Sequence, residues 1–285
     1  MTSVLLLIAA TCLWGVSSAA MSRVEGAPTA VSLAALGGGI ALLCFARATG
    51  GSARRTFSEA PRLYVRLGVL EAANLILFAA ALRIGPLPIV VALHLTTPLL
   101  LIGAQIVRGT RRGGAVVALE VGLVAVAILL ASSAGPGDAR DQLRTIVGCA
   151  LALASAVCVA VLVSTVAKEA RSRTTPTSAG LQLVFAGLLS SVLLVADPPT
   201  WAGAAQMVVI GVFLLGPGFA LYWAALRVLD ATTASIIGLN EAVVASIIGA
   251  AMLHGRVTVG AVVAAALVLS AVAMEQYSQR AWRVR

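Results

Sequence analysis

Residues 85–105 have the length of a membrane-spanning helix but carry polar side chains among their Leu, Ile and Val. Twenty-one residues at ~1.5 Å of rise per residue span about the hydrocarbon thickness of a bilayer. His94, Thr97, Pro98 and Gln105 fall on one face of such a helix. Polar groups at this depth are costly unless they face protein or a water-filled cavity. The stretch is therefore predicted to form one wall of a substrate cavity.

The composition of the whole chain is that of a membrane protein. Of the 285 residues, 60% are hydrophobic and 11% are charged, whereas soluble domains have about 45–50% and ~25%. The net charge of +9 comes from basic residues in short loops between apolar runs, which is ordinary for membrane proteins. Nucleic-acid binding is not expected, because it requires one contiguous basic face with groups that read bases.

The apolar runs predict an all-α polytopic membrane protein with ten transmembrane helices. The first run lacks a basic leader and is followed by further spans, so it is expected to be retained rather than cleaved as a signal peptide. The loops are too short for a soluble domain. The predicted spans are residues 2–21, 29–48, 65–82, 86–107, 114–131, 143–167, 178–196, 205–226, 231–253 and 257–275.

The distribution of basic residues predicts the orientation of the chain. Ten spans place both termini on the same side of the membrane. A cytoplasmic N-terminus puts 15 of the 20 Lys and Arg residues in inner loops and the C-terminal tail, which is the bias that the positive-inside rule expects. We therefore predict a multi-pass protein of a bacterial-type cytoplasmic (inner) membrane, with both termini cytoplasmic.

Short motifs recur about half a chain apart. Residues 80–83 (AALR) recur at 224–227 with an offset of 144, and residues 114–118 (GAVVA) recur at 260–264 with an offset of 146. Two repeats of five spans each must have opposite orientations, which predicts an inverted repeat with a central site near the bilayer midplane. The predicted units are residues 1–135 and 143–276, followed by a basic cytoplasmic tail at 277–285.

Two tandem five-span units with these motifs resemble the drug/metabolite transporter superfamily, and specifically its EamA-type members. The residues that carry the resemblance are 13–15 (LWG), 80–98, 222–227 and 240–245 (NEAVVA). Within the superfamily, residues 86–94 with Thr96 and Pro98 look most like the threonine/homoserine exporter branch. His94 stands where that branch usually has Glu, and Ala242 replaces the proline of a family Glu-Pro pair. The resemblance implies export of an amino acid or a related compound.

The candidate site residues are polar or aromatic groups inside the apolar spans. Glu241 is the deepest acid, and intramembrane acids suggest a functional site. Glu71 is open to two interpretations, a cavity group or an acid that reaches the cytoplasmic surface beside Arg66. His94 is expected to reach Glu241 across the cavity. The predicted substrate-binding residues are Trp14, Glu71, Asn74, Phe78, His94, Thr97, Tyr222, Asn240 and Glu241.

Prolines and glycines predict hinges in two spans. Pro98 interrupts the fourth span, and Gly216, Pro217 and Gly218 remove one backbone donor and two side chains within a turn of the eighth. A broken helix at membrane depth is tolerated where it lines a cavity.

These features favour a secondary transporter that exports a small polar metabolite by alternating access. A multidrug or cationic-amphiphile exporter is the alternative within transport, and a non-transporting scaffold is a further alternative. An enzyme is not expected, because no HExxH, protease-type aspartate pair or Ser–His arrangement is present. No cofactor or metal is expected, since the four cysteines form no CxxC pair. The expected partners are a small-molecule substrate, the lipid bilayer, protons as coupling ion and a second copy in a homodimer.

Overall fold

The computed structural model describes most of eight of the ten predicted spans. The described residues are 2–21, 23–24, 27–84, 90, 93–109 and 142–241, with isolated positions at 118–119, 122, 126, 244, 248 and 270. Their regular structure is helical throughout, with no strand among them. The predicted spans 114–131 and 257–275 lie outside these residues except for the isolated positions, and the predicted tail at 277–285 lies outside them entirely.

Among the described residues, six helices are long and apolar enough to cross a membrane. They correspond to the first, second, third, sixth, seventh and eighth predicted spans, and they comprise Thr2–Met21, Thr29–Ala48, Pro61–Ala81, Ile146–Ser172, Thr175–Val195 and Trp201–Leu226. The described part of the fourth span contains the shorter apolar helix Thr97–Val107. The described part of the ninth span begins with Ala231–Gly238.

The described α-helices are numbered in chain order. They are α1 (Thr2–Met21), α2 (Ala27–Ala48), α3 (Ala53–Glu59), α4 (Pro61–Ile84), α5 (Thr97–Val107), α6 (Gln142–Glu169), α7 (Thr175–Ser190), α8 (Val192–Ala196), α9 (Trp201–Ile210), α10 (Gly216–Leu226) and α11 (Ala231–Gly238). A 3₁₀ turn, Ala170–Ser172, follows α6, and a π-helical turn, Gly211–Leu215, joins α9 to α10.

The helix of the third span begins earlier than predicted, because the helical backbone starts in the charged residues before the apolar run. The predicted span begins at residue 65, close to where the charged residues stop, but α4 begins at Pro61. Proline is well suited to the first turn of a helix, where its missing N–H is not needed. The preceding loop also contains the unpredicted helix α3, capped by Ser52 Oγ, which accepts from the backbone N–H of Arg55 at 3.3 Å.

The fourth span is interrupted beside Pro98 rather than continuous. Residues 93–94 are helical, Leu95 and Thr96 form a turn, and α5 starts at Thr97. Pro98 has no N–H to donate to the carbonyl of His94. The Thr97 hydroxyl donates to that carbonyl at 3.4 Å, and the Thr96 hydroxyl donates to Leu93 O at 2.6 Å. Leu93 O also accepts from the backbone N–H of Thr96 at 3.1 Å, so it is the His94 carbonyl, which Pro98 cannot serve, that depends on the Thr97 hydroxyl.

A π-helical turn marks the region of the predicted hinge in the eighth span. The backbone N–H of Gly216 donates to Gly211 O, one residue further back than in an α-helix. Pro217 follows directly and supplies no donor to the preceding turn. The irregular helix is consistent with the sequence pattern at Gly216, Pro217 and Gly218, whereas hinge motion stays a prediction.

Close backbone contacts through glycines hold the centre of the bundle together. Helix α2 packs on α7, and it also packs on α9 and the π-helical turn. A Cβ added to Gly38 would lie 2.6 Å from Gly211 O, and one added to Gly39 would lie 2.7 Å from Val184 N. Such approaches require residues without side chains at these positions. The outer faces carry exposed apolar side chains such as Phe45, which suits contact with lipid.

Candidate functional site

A cavity of about 280 Å³ lies between the helices of the two halves of the chain. Its walls come from α1, α4, α6, α10 and α11, with the segment around Pro98. All of the predicted substrate-binding residues except Asn240 line it, namely Trp14, Glu71, Asn74, Phe78, His94, Thr97, Tyr222 and Glu241. The described lining residues include no Lys or Arg. The structure thus brings the predicted residues to one place, while their role in binding is untested.

Glu71 on α4 is a buried carboxylate bonded to two amides. Its side chain belongs to a residue only 7% exposed, so it does not extend to the membrane surface. Asn74 Nδ2 donates to Oε1 at 3.2 Å, and Gln182 Nε2 on α7 donates to Oε2 at 3.1 Å. Gln182 Oε1 accepts in turn from Trp223 Nε1 on α10 at 2.9 Å. Each carboxylate oxygen therefore has a donor, which offsets part of the cost of burying a charge.

A second chain of hydrogen bonds runs from Asn74 to His94. Ser155 Oγ on α6 donates to Asn74 Oδ1 at 2.6 Å and lies 3.0 Å from His94 Nδ1. The His94 ring packs on Phe78 with ring centroids 4.3 Å apart. Its Nε2 makes no hydrogen bond to any described residue, and His94 lines the cavity. The imidazole is therefore held at one nitrogen and is available to a ligand at the other.

Glu241 follows α11 and faces the cavity from the opposite half of the chain. Its Oε1 accepts from Ser18 Oγ on α1 at 2.9 Å. The structure does not pair Glu241 with His94, because each has a serine partner of its own. Asn240 is directed away from the cavity, with Nδ2 donating to Thr11 Oγ1 at 3.2 Å. Adjacent residues on a helix point about 100° apart, and here Glu241 lines the cavity while Asn240 is bonded to Thr11 on α1.

Three aromatic rings form another part of the wall. The Trp14 ring lies 5.0 Å from Phe219 and 5.1 Å from Tyr222, measured between centroids, and all three line the cavity. Rings in this arrangement present π faces and edges to a bound molecule, and π faces attract cations. Phe219 was not among the predicted residues, although it lies on α10 three positions before Tyr222.

The predicted hinge residues lie close to the site, but only one of them lines it. Pro98 contributes to the cavity wall beside Thr97, whose hydroxyl also lies 3.3 Å from Ala156 O on α6. Gly218 does not line the cavity but packs against the Trp14 indole, which does. Gly216 and Pro217 belong to the first turn of α10.

Besides Phe219, four residues that matter to the site were not predicted from the sequence. Gln182 was detectable as an amide within a predicted span. Ser18 and Ser155 gave no signal, because a serine in a helix can satisfy its hydroxyl with its own backbone. Trp223 is adjacent to the predicted Tyr222, but its bond to Gln182 depends on how α10 packs against α7.

The described residues contain no group of three or more His, Cys, Asp or Glu side chains placed to hold a metal ion. The polar groups that the cavity does present are suited to an organic substrate and to protons. A buried carboxylate can take an ammonium group or a proton, and a neutral imidazole can donate or accept one hydrogen bond.

Known proteins resemble this chain in part of its sequence and in its fold. Residues 146–274 match the model of the EamA-like transporter family. The alignment with one crystal structure of a protein covers 98% of this chain and 98% of the chain in that structure. The TM-score is 0.79 and the sequence identity is 17%. At that identity the likeness shows the fold alone. No curated protein matches the chain.

The apolar helices and the matched segment make this a multi-pass membrane protein. The match of residues 146–274 to the EamA-like transporter family supports the drug/metabolite transporter superfamily, and it suggests a membrane transporter of small molecules. Members of that family are transporters rather than enzymes, which is consistent with the expectation from the sequence.

Proposed function

We propose that the protein is a secondary transporter that exports a small polar metabolite carrying an ammonium group, such as an amino acid or a related compound. The observation that carries the proposal is a pair of acids, the buried Glu71 and the partly buried Glu241, which face one cavity without a basic partner among the described residues. Buried charges are costly unless paired. A substrate ammonium group would supply the missing positive charge.

The size of the cavity favours a metabolite over a large amphiphile. Pockets for drug-sized ligands measure roughly 300–1,000 Å³, and this cavity measures about 280 Å³. The rest of a small substrate would meet both polar and apolar groups. His94 Nε2, which bonds no described residue, offers a polar contact, and the Trp14 ring offers an apolar one. Because the sequence resembles the threonine/homoserine exporter branch, threonine and homoserine are the first substrates to test.

Helix packing supports the proposed inverted repeat of two five-helix units. With an offset of 144, α1 corresponds to α6, α2 to α7, and α4 to α9 and α10. Helix α1 packs on α10, and α4 packs on α6, which is the same contact with the halves exchanged. The packing of α2 on α9 is likewise matched by that of α7 on α4. Rocking of the halves about a central site is the usual form of alternating access in such repeats.

A cationic-amphiphile exporter is the second candidate, and the aromatic cluster is the observation that favours it. Trp14, Phe219 and Tyr222 could stack on a planar organic cation beside an acid. Both candidates place the cation near the same carboxylates. They differ in whether the aromatic wall or the polar groups around His94 supply most of the remaining affinity.

Flux into proteoliposomes containing the purified protein tests the proposal. Counterflow of labelled threonine, homoserine and other amino acids is compared with that of planar cationic dyes, at equal protein density. The first proposal expects amino-acid counterflow that is lost in His94→Leu, with little effect of Trp14→Leu. Dye counterflow that is lost in Trp14→Leu and retained in His94→Leu would favour the second candidate. The absence of flux for both classes would favour a scaffold.

A further inference from the structure

The orientation of the Gln182 amide is fixed by a tryptophan. An indole N–H can only donate, so the oxygen of Gln182 must face Trp223. The amide nitrogen of Gln182 then faces Glu71 Oε2 and donates to it. This oxygen of Glu71 is therefore always an acceptor, and a proton bound by Glu71 must reside on Oε1, the oxygen that faces Asn74.

When Glu71 is ionised, the hydrogen bonds from His94 all run toward it. Asn74 donates its N–H to Glu71 Oε1, and its oxygen accepts the hydroxyl hydrogen of Ser155. The Ser155 hydroxyl also lies 3.3 Å from the Asn74 backbone oxygen, farther than the 2.6 Å to Oδ1. A serine has only one hydrogen, so with that hydrogen given to Asn74, Ser155 Oγ can only accept from His94 Nδ1. The imidazole must then be the Nδ1–H tautomer, and its Nε2 presents a lone pair to the cavity.

When Glu71 is protonated, the same chain runs in the opposite direction. The Oε1–H group donates to Asn74, whose amide turns over to present its oxygen. The Asn74 N–H then donates to Ser155 Oγ, and the Ser155 hydroxyl donates to His94 Nδ1. The imidazole becomes the Nε2–H tautomer. The net change is one added proton on Glu71, while the neutral ring loses its Nδ1 proton and gains one at Nε2 by exchange with water in the cavity.

We propose that Glu71 controls, through Asn74 and Ser155, whether His94 presents a lone pair or an N–H to the substrate. The tautomer change of His94 does not depend on the proposed transport function, whereas its effect on substrate binding rests on that function. In the ionised state Nε2 accepts from a substrate ammonium or hydroxyl group, and in the protonated state it repels such a donor. Proton binding at Glu71 therefore opposes substrate binding at His94, although the two groups are joined only through two intervening side chains.

Several ionisable groups surround Glu71 and share its electrostatic environment. Cys158 on α6, Tyr222 on α10 and Glu241 beyond α11 all lie within electrostatic range of it. None of the three is basic. Ser155 and Asn74 are positioning residues in this scheme, because they act on the substrate through the ring of His94.

Nitrogen-15 NMR of labelled histidine tests the relay without any transport measurement. The chain has two histidines, so His254→Gln leaves His94 as the single labelled imidazole. At alkaline pH we expect the Nδ1–H tautomer. In Glu71→Gln at the same pH we expect the Nε2–H tautomer, because the fixed Gln182 N–H meets the oxygen of the introduced glutamine and directs its amide group toward Asn74. The same tautomer in both proteins would overturn the proposal.

A pH titration of the protein with Glu71 intact provides a second measurement that needs no substitution in the relay. As the pH falls, the ring should pass from Nδ1–H to Nε2–H while it is still neutral. Protonation of Glu71 is followed in the same samples by the infrared band of its carboxyl group. A neutral ring that stays Nδ1–H after Glu71 has taken its proton would contradict the relay even if Glu71→Gln failed to fold.

Ser155→Ala breaks the chain and should make the tautomer of His94 independent of the residue at position 71. The matched control is Ser190→Ala, which removes a buried hydroxyl that bonds its own helix through Ala186 O at 2.7 Å. In the Ser190→Ala protein, the tautomer of His94 should still differ between the form with Glu71 and the form with Glu71→Gln. A difference that survives Ser155→Ala would overturn the relay. Tautomer switching in a protein without flux would leave the relay standing and refute the proposed transport, whereas flux without switching would do the reverse.

Discussion

The indole nitrogen of Trp14 packs directly against Gly218, so closely that a methyl group added to Gly218 would overlap it. This nitrogen is buried and has no hydrogen-bond partner among the described residues. The absence of a side chain at Gly218 is therefore what allows the indole to pack against Phe219 and Tyr222. A glycine predicted as part of a hinge thus also positions an aromatic residue of the cavity.

Gly218→Ala should displace the Trp14 indole and weaken substrate binding. Inserting a methyl group into a packed interior costs roughly 1–3 kcal/mol, and a displaced indole would enter the cavity. We expect lower thermal stability together with a raised KM for flux. Gly103→Ala is the matched control, because Gly103 lies on α5 with no atom within 4 Å of an added Cβ. Equal thermal stability and equal KM in the two variants would show that the close contact does not contribute to function.

The membrane helices were predictable because each is a run of about 20 apolar residues, and such a run is visible without knowledge of its neighbours. The helices α1, α2 and α6 accordingly lie within a few residues of the predicted spans. The break before Pro98 was indicated only by the proline. Its exact form depends on hydroxyl bonds from Thr96 and Thr97, which hydropathy does not report.

The partners within the site could not be predicted, because they come from helix packing. Gln182 reaches Glu71 from 111 positions along the chain, and no local pattern specifies that contact. Asn240 was expected in the cavity beside Glu241, but the packing of this segment on α1 directs its amide to Thr11. Residue type therefore identified candidate groups, and packing decided which of them face the cavity.

Asn74→Leu and His94→Leu should each abolish flux while the protein still inserts and folds as a helical bundle. Asn74 bonds Glu71 and Ser155, and His94 carries the free nitrogen at the cavity. Loss of a hydrogen bond to a charged group is worth about 1.5–3 kcal/mol, or roughly 10- to 100-fold in affinity. Flux per inserted protein and size-exclusion profiles of both variants provide the measurement. Wild-type transport by both would show that these side chains only pack helices.

The predicted orientation can be checked by cysteine labelling in intact cells. Four native cysteines are free in the described structure, so they are first replaced by alanine or serine. A cysteine introduced in the loop at 132–142 should react with a membrane-impermeant maleimide added outside, whereas one at 50–60 should react only after lysis. This follows from the 15 of 20 basic residues that a cytoplasmic N-terminus places inside. The reverse labelling pattern would refute the orientation, and labelling of both positions from the same side would refute the proposed inverted repeat.

Glu241→Gln tests whether this second acid couples transport to protons. The Glu241 carboxylate faces the cavity, with Ser18 as its hydrogen-bond donor and no basic partner among the described residues. An ionised carboxylate attracts the substrate ammonium group, and a protonated one does not, so protons and substrate compete for it. Flux through such a site should therefore change with pH.

Glutamine resembles the protonated acid but does not titrate in this range. We expect Glu241→Gln to lose the part of the pH dependence that comes from this group, while exchange down a substrate gradient continues. Flux is measured across a pH series, with and without an imposed pH gradient. Glu59→Gln serves as the control, because Glu59 is half exposed and forms an ion pair with Arg55 at 3.2 Å on the surface. If Glu241→Gln keeps both the wild-type flux and the wild-type pH dependence, Glu241 has a structural role, and coupling must depend on another group, with Glu71 the first candidate.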